Sequence, residues 1–456
     1  MKKYDVVVIG WGKGGKTLSA HLAKNNKKVA IIEKDPKMYG GTCVNVGCLP
    51  TKSFVHFSKV LEQVNKLGLK TTQAQNHEAF TNASNYKEKF VKLLNSKNFA
   101  NLDNLENVDI YNGFGSFVDK NHIKVQYKDK EDEIIYADKV IINTGSYSRK
   151  LASDVVVESK NVLYSDDFLD LKDLPQKALV IGAGFIGLEF ATMLNNFSSE
   201  VSVYQFDNSF MKSEDPEDAA KVLEVMKNQN INFSFNTQVK KIVDVNNKAH
   251  VTSLVDGKEV TEIFDKVLVS IGRVPNIEKL QLQNAGVEIK NGAIEVNEYL
   301  KTNVENIWAI GDCKGGLFFT YISYDDFRIV LPQLLNKDSN RTTLNRPIVP
   351  WSTFIDPSYA RVGLNETQAQ KLNIEYEVHN LKTMQMPKAH VINELVGFNK
   401  ILVDKNGYII GATLFNYEAS EMINMLSLAI VYKIKFTDIK NFIYTHPIFI
   451  ENLNEF

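Results

Sequence analysis

The chain has 456 residues, almost balanced charge with 53 Lys and Arg against 54 Asp and Glu (net −1), and three cysteines. That length exceeds what one core supports and implies roughly two to four units, while the balanced charge gives no general case for nucleic acid, an acidic membrane face or polyanionic partners. Three cysteines are too few for a disulfide scaffold, so a disulfide here would be catalytic and housed in a reducing cytoplasm. The opening MKKYDVVVIG has too short an apolar run for a secretory signal, and no later stretch has the length of a membrane span. A soluble, cytoplasmic protein is expected.

Tyr4 to Ile9 reads as an apolar strand that enters Gly10-Trp-Gly12-Lys-Gly14-Gly15, followed by a helical pattern over Thr17 to Ala23. A second apolar run, Val29 to Ile32, ends in Glu33, 23 residues after Gly10. Strand, glycine turn, helix, strand, acid is the pattern of a dinucleotide site. Glycines let the backbone approach a pyrophosphate at the helix N-terminus, and the acid accepts from a ribose hydroxyl.

Gly40 to Lys52, GGTCVNVGCLPTK, carries two of the three cysteines, Cys43 and Cys48, and suits a tight loop running into a helix. On one helical turn their sulfurs come within disulfide reach, and a helix N-terminus with a nearby lysine favours the thiolate. A redox pair is the working reading. Two buried, unpaired core thiols are the plain alternative, and zinc is disfavoured because no second cysteine pair exists.

Lys59 to Leu105, rich in Lys, Asn and Leu, reads as one or two helices with a solvated face. Alternation over Val108 to Lys128 and the run KVIINT before Gly145-Ser146 return the chain to the first nucleotide unit, which pauses near residue 148. Lys177 to Glu189, KALVIGAGFIGLE, repeats the opening pattern with Gly182, Gly184 and Gly187, and Glu200 to Tyr204 is the next strand. Two such units imply two dinucleotides. The second strand ends near Gln205, which neither repels a 2′-phosphate nor pairs with it, so NADH and NADPH both stay open.

Asp265 to Asn276 is again a strand into glycine, and Thr302 to Asp312 is a short strand ending in Gly311-Asp312. Asp312 is either a ligand of a ribityl or ribose hydroxyl or a turn aspartate. Cys313, a lone third thiol, reads as structural. Residues 346 to 456 lack a phosphate turn; Pro347, Pro350 and Pro357 punctuate an extended start, Lys400 to Thr413 reads as two strands about Asn406-Gly407, and Ala419 to Val431 as an apolar helix. A non-nucleotide domain suited to dimerisation fits. Near its end His446 precedes Glu451 by five residues, either a base with its orienting carboxylate or a surface histidine.

Taken together, GWGKGG, GGTCVNVGCLPTK, Thr144-Gly145-Ser146, GAGFIGLE, IGRVPN, IWAIGD and HPIFIE resemble, in order and along the whole chain, the class I pyridine nucleotide–disulfide oxidoreductases. The resemblance implies an α/β protein with two Rossmann-like domains and a C-terminal α+β dimerisation domain. Its boundaries would be 1–148 (FAD, first part, with the redox loop), 149–270 (NAD(P)H), 271–345 (FAD, second part) and 346–456 (interface). It also implies FAD on Gly10, Gly12, Gly14, Gly15, Glu33, Gly41, Thr42, Thr144, Gly145, Ser146, Gly311 and Asp312. NADH or NADPH would lie on Gly182, Gly184, Gly187, Gln205, Gly272 and Arg273.

By the same resemblance, Cys48 is the thiol beside the flavin, Cys43 is the interchange thiol, and Lys52 and Glu189 lie near the flavin N5 and the nicotinamide. His446 of the other subunit of a homodimer, oriented by Glu451, moves the proton. GWGKGGKT and the segment after Asp312, GGLFFTYISYDDFRIV, are similar to the bacterial reactive-chlorine-resistance flavoproteins and hypothiocyanous acid reductases. A small oxidant is then the expected substrate. Reductases of lipoamide, glutathione disulfide or coenzyme A disulfide are the alternative, and a non-turnover flavin redox sensor a remote one. Without a vicinal cysteine pair near the C-terminus, mercury handling is disfavoured; no resident metal is expected, and copper as a secondary acceptor is left open.

Overall fold

The computed structural model describes all 456 residues, Met1–Phe456, and the chain divides into two compact units. The first comprises residues 1–53, 83–149 and 272–346. Its sheet has the strand order 108–112, 29–33, 3–9, 133–142, 122–126, 114–117, with 307–309 joined to 133–142. Strand Lys3–Ile9 pairs in parallel with Val29–Glu33 on one side and with Glu133–Ile142 on the other. Val6 to Ile9 and Val29 to Ile32 are all buried, which is why they read as continuous apolar runs rather than alternations: helices or strands cover both faces of a parallel sheet. The parallel strands end together at Gly10, Glu33, Asn143 and Ile310, so the crevice beyond their carboxyl ends collects the glycine turn and the acids.

Four helices from the first 103 residues shape that unit or leave it, and a fifth, Thr320–Leu334, packs with the first of them. Helix α1 (Lys13–Lys24) follows the glycine turn; α2 (Gly41–Asn45) and α3 (Cys48–Lys66) carry the cysteines; α4 (Gln73–Asp103) is the long helical stretch expected over 59–105. One expectation changes here. Cys43 and Cys48 do not share a helical turn: α2 ends at Asn45, Val46 and Gly47 break the path, and Cys48 opens α3.

The second unit comprises residues 54–82, 150–271 and 347–456. Its parallel sheet runs 232–234, 200–204, 177–181, 266–269, 162–164, beside a second sheet in which 258–264, 248–255 and 237–245 are antiparallel and 156–158 joins 237–245 in parallel. The last part is an antiparallel sheet, 351–353, 358–363, 409–416, 398–404, 376–382, with helix Ala419–Val431 packed on it. Within this unit Lys400 Nζ reaches Asp218 at 2.8 Å and Glu366 at 2.6 Å. All these side chains except Glu366 are almost fully buried. Removing one partner would strand buried charge.

Candidate functional site

Gly10 adopts φ +101°, and a Cβ there would lie 2.3 Å from the carbonyl oxygen of Asn143, so the turn tolerates no side chain. Its shape is fixed by residues that motif reading did not single out. Asn143 accepts from the Gly15 N–H at 2.9 Å and donates to the Ile310 carbonyl at 2.9 Å. Ser323 Oγ accepts from the Gly14 N–H at 3.1 Å, and Asp326 accepts from the Gly311 N–H at 2.8 Å. Helix α1 starts at Gly12, which supplies no side-chain cap; Ser323 and Asn143 take the Gly14 and Gly15 N–H groups instead, and the turn itself presents side-chain-free backbone to the crevice.

At the far end, buried Glu33 accepts from the N–H groups of Trp11 and Asp35, each at 3.2 Å. Burial nevertheless pushes its carboxyl up to about 7. Asp312 is also raised by burial, and accepts from the Ser146 hydroxyl at 2.6 Å. The Thr144 hydroxyl is buried with no hydrogen-bond partner in the protein, as is the Trp11 indole N–H. Uncommitted polar atoms and two poorly solvated carboxyls round a glycine turn fit the ribose, ribityl and pyrophosphate groups of FAD. Gly272 and Arg273 fall in this unit too: Arg273 Nε donates to Ser146 Oγ at 2.8 Å and its Nη2 to the Ser146 carbonyl at 2.8 Å.

The redox loop sits in the same unit. Cys43 and Cys48 are thiols, hydrogen-bonded to each other, and Thr320 Oγ1 lies 3.6 Å from the Cys48 sulfur. The bond to Cys48, then burial, push the Cys43 thiol far above its ordinary range, because two close sulfurs cannot both ionise; the Thr320 hydroxyl and the Lys16 ammonium pull the other way. Burial, then the nearby Cys48 charge, also raise the Tyr321 phenol. The loop is held by Asn95 of α4 together with its own Asn45. Asn95 donates to Asn45 Oδ1 at 3.1 Å and to the Lys37 carbonyl at 2.9 Å, and Asn45 donates to the Gly41 carbonyl at 2.9 Å. The face of α4 that reads as solvated therefore does a positioning task. Thr42 lies on α2, and Lys52 on α3 one turn beyond Cys48. Cys313 is fully buried, donates to the carbonyls of Ile142 and Ile310 at 3.3 Å, and is pushed up to about 12 by burial.

In the second unit the glycine turn recurs: a Cβ on Gly187 would stand 2.1 Å from the Gly182 carbonyl oxygen, and helix Phe185–Asn196 begins at Gly184 without a side-chain cap. Gln205 accepts from the Ala183 N–H at 2.9 Å and donates to Asp207 at 2.8 Å. Ser209, then Gln205, hold the Asp207 carboxyl below its ordinary range. Glu189 is buried on the same helix and accepts from the Phe354 N–H at 3.0 Å. His446 Nδ1 is 2.8 Å from Glu451 Oε2; the imidazole is 71% exposed and the carboxylate 14%. The two line an open cavity of about 490 Å³ with Leu381, Gln385 and Pro387.

No group of three or more His, Cys, Asp or Glu side chains is arranged to hold a metal ion, and no helix is long and apolar enough to cross a membrane.

A family model described as pyridine nucleotide-disulphide oxidoreductase matches residues 4–328, and the dimerisation domain of the same family matches residues 349–456. The chain is 36% identical to the probable pyridine nucleotide-disulfide oxidoreductase RclA of Escherichia coli K12, covering 100% of this chain and 99% of the relative. It is 30% identical to the dihydrolipoyl dehydrogenase of Bacillus subtilis 168, with 99% and 97% covered. The solved Cu(II) complex of the HOCl-induced flavoprotein disulfide reductase RclA from Escherichia coli matches with a TM-score of 0.92 at 34% identity, covering 100% of this chain and 99% of that one. The ordered glycine turns, the paired thiols and these full-length matches place the chain in the pyridine nucleotide-disulphide oxidoreductase family, as a flavoprotein disulfide oxidoreductase that uses FAD and NAD(P)H.

Proposed function

We propose that this enzyme passes the electrons of NAD(P)H to the Cys43–Cys48 pair and from there to a small oxidant, hypothiocyanous acid. The observation that carries the reading is the sulfur pair itself, two hydrogen-bonded thiols with the Thr320 hydroxyl against Cys48. The oxidant is supported by the sequence after Asp312 and by the solved relative, a disulfide reductase described as HOCl-induced. FAD, on the residues from Gly10 to Asp312 named above, would supply the relay of two electrons from NAD(P)H to the disulfide; NAD(P)H would lie on the Gly182–Gly187 turn.

Cys43 thiolate attacks the sulfur of hypothiocyanous acid; the new S–S bond forms as the S–O bond breaks, and the departing hydroxide takes up a proton to leave as water. Cys48, its proton lost, then attacks the Cys43 sulfur, closing the disulfide and expelling thiocyanate. His446, held by Glu451 and contributed by the second copy of a homodimer, accepts and returns the Cys43 proton. That role is supported by the 2.8 Å contact, by the exposure of the imidazole and by the dimerisation-domain match. By the family resemblance, Lys52 would serve the flavin and Glu189 the nicotinamide. In a reducing cytoplasm the pair rests as thiols and is ready for an oxidant.

Initial rates of NADH and NADPH oxidation by the purified holoenzyme test the reading, with hypothiocyanous acid, lipoamide, glutathione disulfide and coenzyme A disulfide as acceptors. Hypothiocyanous acid should give the highest kcat/KM, and Cys43→Ser should abolish turnover with FAD still bound. Equal or faster turnover with lipoamide would instead favour the second reading, a dihydrolipoyl dehydrogenase, which the 30% identity to such enzymes supports. A sensor would show negligible turnover with every acceptor.

A further inference from the structure

The segment after Asp312, GGLFFTYISYDDFRIV, runs into the helix Thr320–Leu334, which carries Thr320, Ser323 and Asp326 at three-residue spacing. Residues so spaced run along one side of a helix. Each of the three reaches a different part of the flavin unit. Thr320 Oγ1 lies 3.6 Å from the Cys48 sulfur, Ser323 Oγ accepts from the Gly14 N–H at 3.1 Å, and Asp326 Oδ2 accepts from the Gly311 N–H at 2.8 Å. The redox loop, the first glycine turn and the Gly311–Asp312 turn thus meet one helix along one stripe.

Asp326 differs from the other residues that hold these turns. It is a fully buried carboxylate, whereas Asn143 and Ser323 take their glycine N–H groups with neutral oxygens. A carboxylate taken out of water needs partners, and two separate segments supply them: Lys314 Nζ lies 3.4 Å from Oδ2, and Arg346 Nη2 bonds Oδ1. Arg346 Nε also bonds Asp325 Oδ2 at 2.7 Å, and Arg341 bonds Asp325 Oδ1. The Gly311 N–H therefore makes a charge-assisted hydrogen bond to an acceptor that is itself pinned at both oxygens. Gly311 has little room to shift, for it adopts φ +72° and a Cβ there would lie 2.8 Å from Ser323 Oγ. Asp312 follows directly and accepts from the Ser146 hydroxyl at 2.6 Å. Its place is decided one residue earlier.

We propose that Asp326 is a positioning residue for the flavin: through Gly311 it fixes Asp312 for a ribityl or ribose hydroxyl, and through the helix it keeps Thr320 in register with Cys48. Lys314 and Arg346 hold Asp326 in place, while Asp325 and Arg341 reach the turn only by way of Arg346. Without the carboxylate the turn is freed, so cofactor retention and the surroundings of the bound flavin change together. The inference rests on FAD lying on the residues from Gly10 to Asp312.

The test follows purified holoenzyme by two readouts: FAD released on dilution, measured by flavin fluorescence, and the visible circular dichroism of the flavin that stays bound. Asp326→Ala should raise the FAD dissociation constant about tenfold, as for a lost charge-assisted hydrogen bond, and alter the dichroism. Asp326→Asn keeps an oxygen for the Gly311 N–H but loses both ion pairs, so it should weaken binding about threefold. Arg341→Gln should lower the melting temperature and leave both readouts unchanged. An FAD affinity and dichroism unmoved in Asp326→Ala would overturn the proposal. So would an equal loss of FAD from Arg341→Gln, which would make the charged cluster a general brace. If Asp326→Ala does not fold, unmoved readouts in Asp326→Asn overturn it alone. Glu33→Gln keeps the two failures apart: FAD binding unmoved there would remove the placement of FAD, whereas weakened binding there beside an unmoved Asp326→Ala would remove this proposal only.

Discussion

At the first glycine turn the strand after the helix ends in Glu33, a buried carboxylate raised to about 7, whereas at the second the corresponding strand ends in Gln205, whose amide is shared between the Ala183 N–H and Asp207. The turns themselves are alike, with helices starting at Gly12 and Gly184, which supply no side-chain cap. What differs is solvation. Glu33 has been taken out of water and keeps only the long N–H contacts of Trp11 and Asp35, while Asp207 is solvated and bonded by Ser209 and Gln205. A desolvated acceptor suits a cofactor that stays, and a solvated one suits a nucleotide that comes and goes, because only the first gains much from being paired.

The comparison breaks most visibly at the second turn. Gly187→Val would place atoms where the Gly182 carbonyl oxygen stands 2.1 Å from the added Cβ, forcing strand and helix apart. We expect kcat/KM for NAD(P)H to fall on the order of 100-fold, a loss of ~2.7 kcal/mol in transition-state binding. FAD content and reduction of the flavin by dithionite should be unchanged, because the first turn is untouched; a parallel loss of FAD would mean that the two sites are not separable.

A smaller effect is expected at Glu33. A ribose hydroxyl pairs with the carboxylate rather than the acid form, so FAD affinity should tighten as pH rises from 6 to 8 through the Glu33 pKa of about 7. The sign follows from the raised pKa: protons compete with FAD for this group below 7 and cease to compete above it. Glu33→Gln should weaken FAD binding about tenfold at pH 8, as expected for a lost charged hydrogen bond, and flatten the pH dependence. Flavin fluorescence during apoprotein titration would measure both. A profile for Glu33→Gln as steep as the parent's would show that another group titrates.

The difference between the two turns also explains what could be read from the chain alone. Gly10, Gly187, Glu33 and the cysteines were legible because backbone approach, burial and thiol chemistry admit few residue types, at close spacing. Asn143, Ser323 and Thr320 were not: each acts on a loop more than a hundred positions away, and a single polar residue in a strand or helix carries no periodic signal. Asn95 was hidden for a related reason, since an asparagine on a polar helix looks like part of a solvated face until the neighbouring loop is in place. The α2–α3 break was missed because five-residue spacing suggests one helical turn, whereas Val46 and Gly47 end one helix and let another begin.

The smallest expected effect lies at Asp207, and it sharpens the comparison. Gln205 alone left NADH and NADPH equivalent, but its amide presents a carboxylate held in the ionised form by Ser209 and by Gln205 itself. A 2′-phosphate brought near that carboxylate meets like charge, while a ribose hydroxyl meets an acceptor. The enzyme should therefore have a higher kcat/KM with NADH than with NADPH, by a modest factor, because water screens an exposed charge. Asp207→Asn keeps the hydrogen bonds that an amide oxygen can accept and removes the charge, so the NADH to NADPH ratio should fall about threefold, mainly through the KM for NADPH. The effect should shrink at high salt. A ratio that stays constant in Asp207→Asn would mean that the carboxylate does not face the ribose, and would return the choice of nucleotide to Gln205 and the turn.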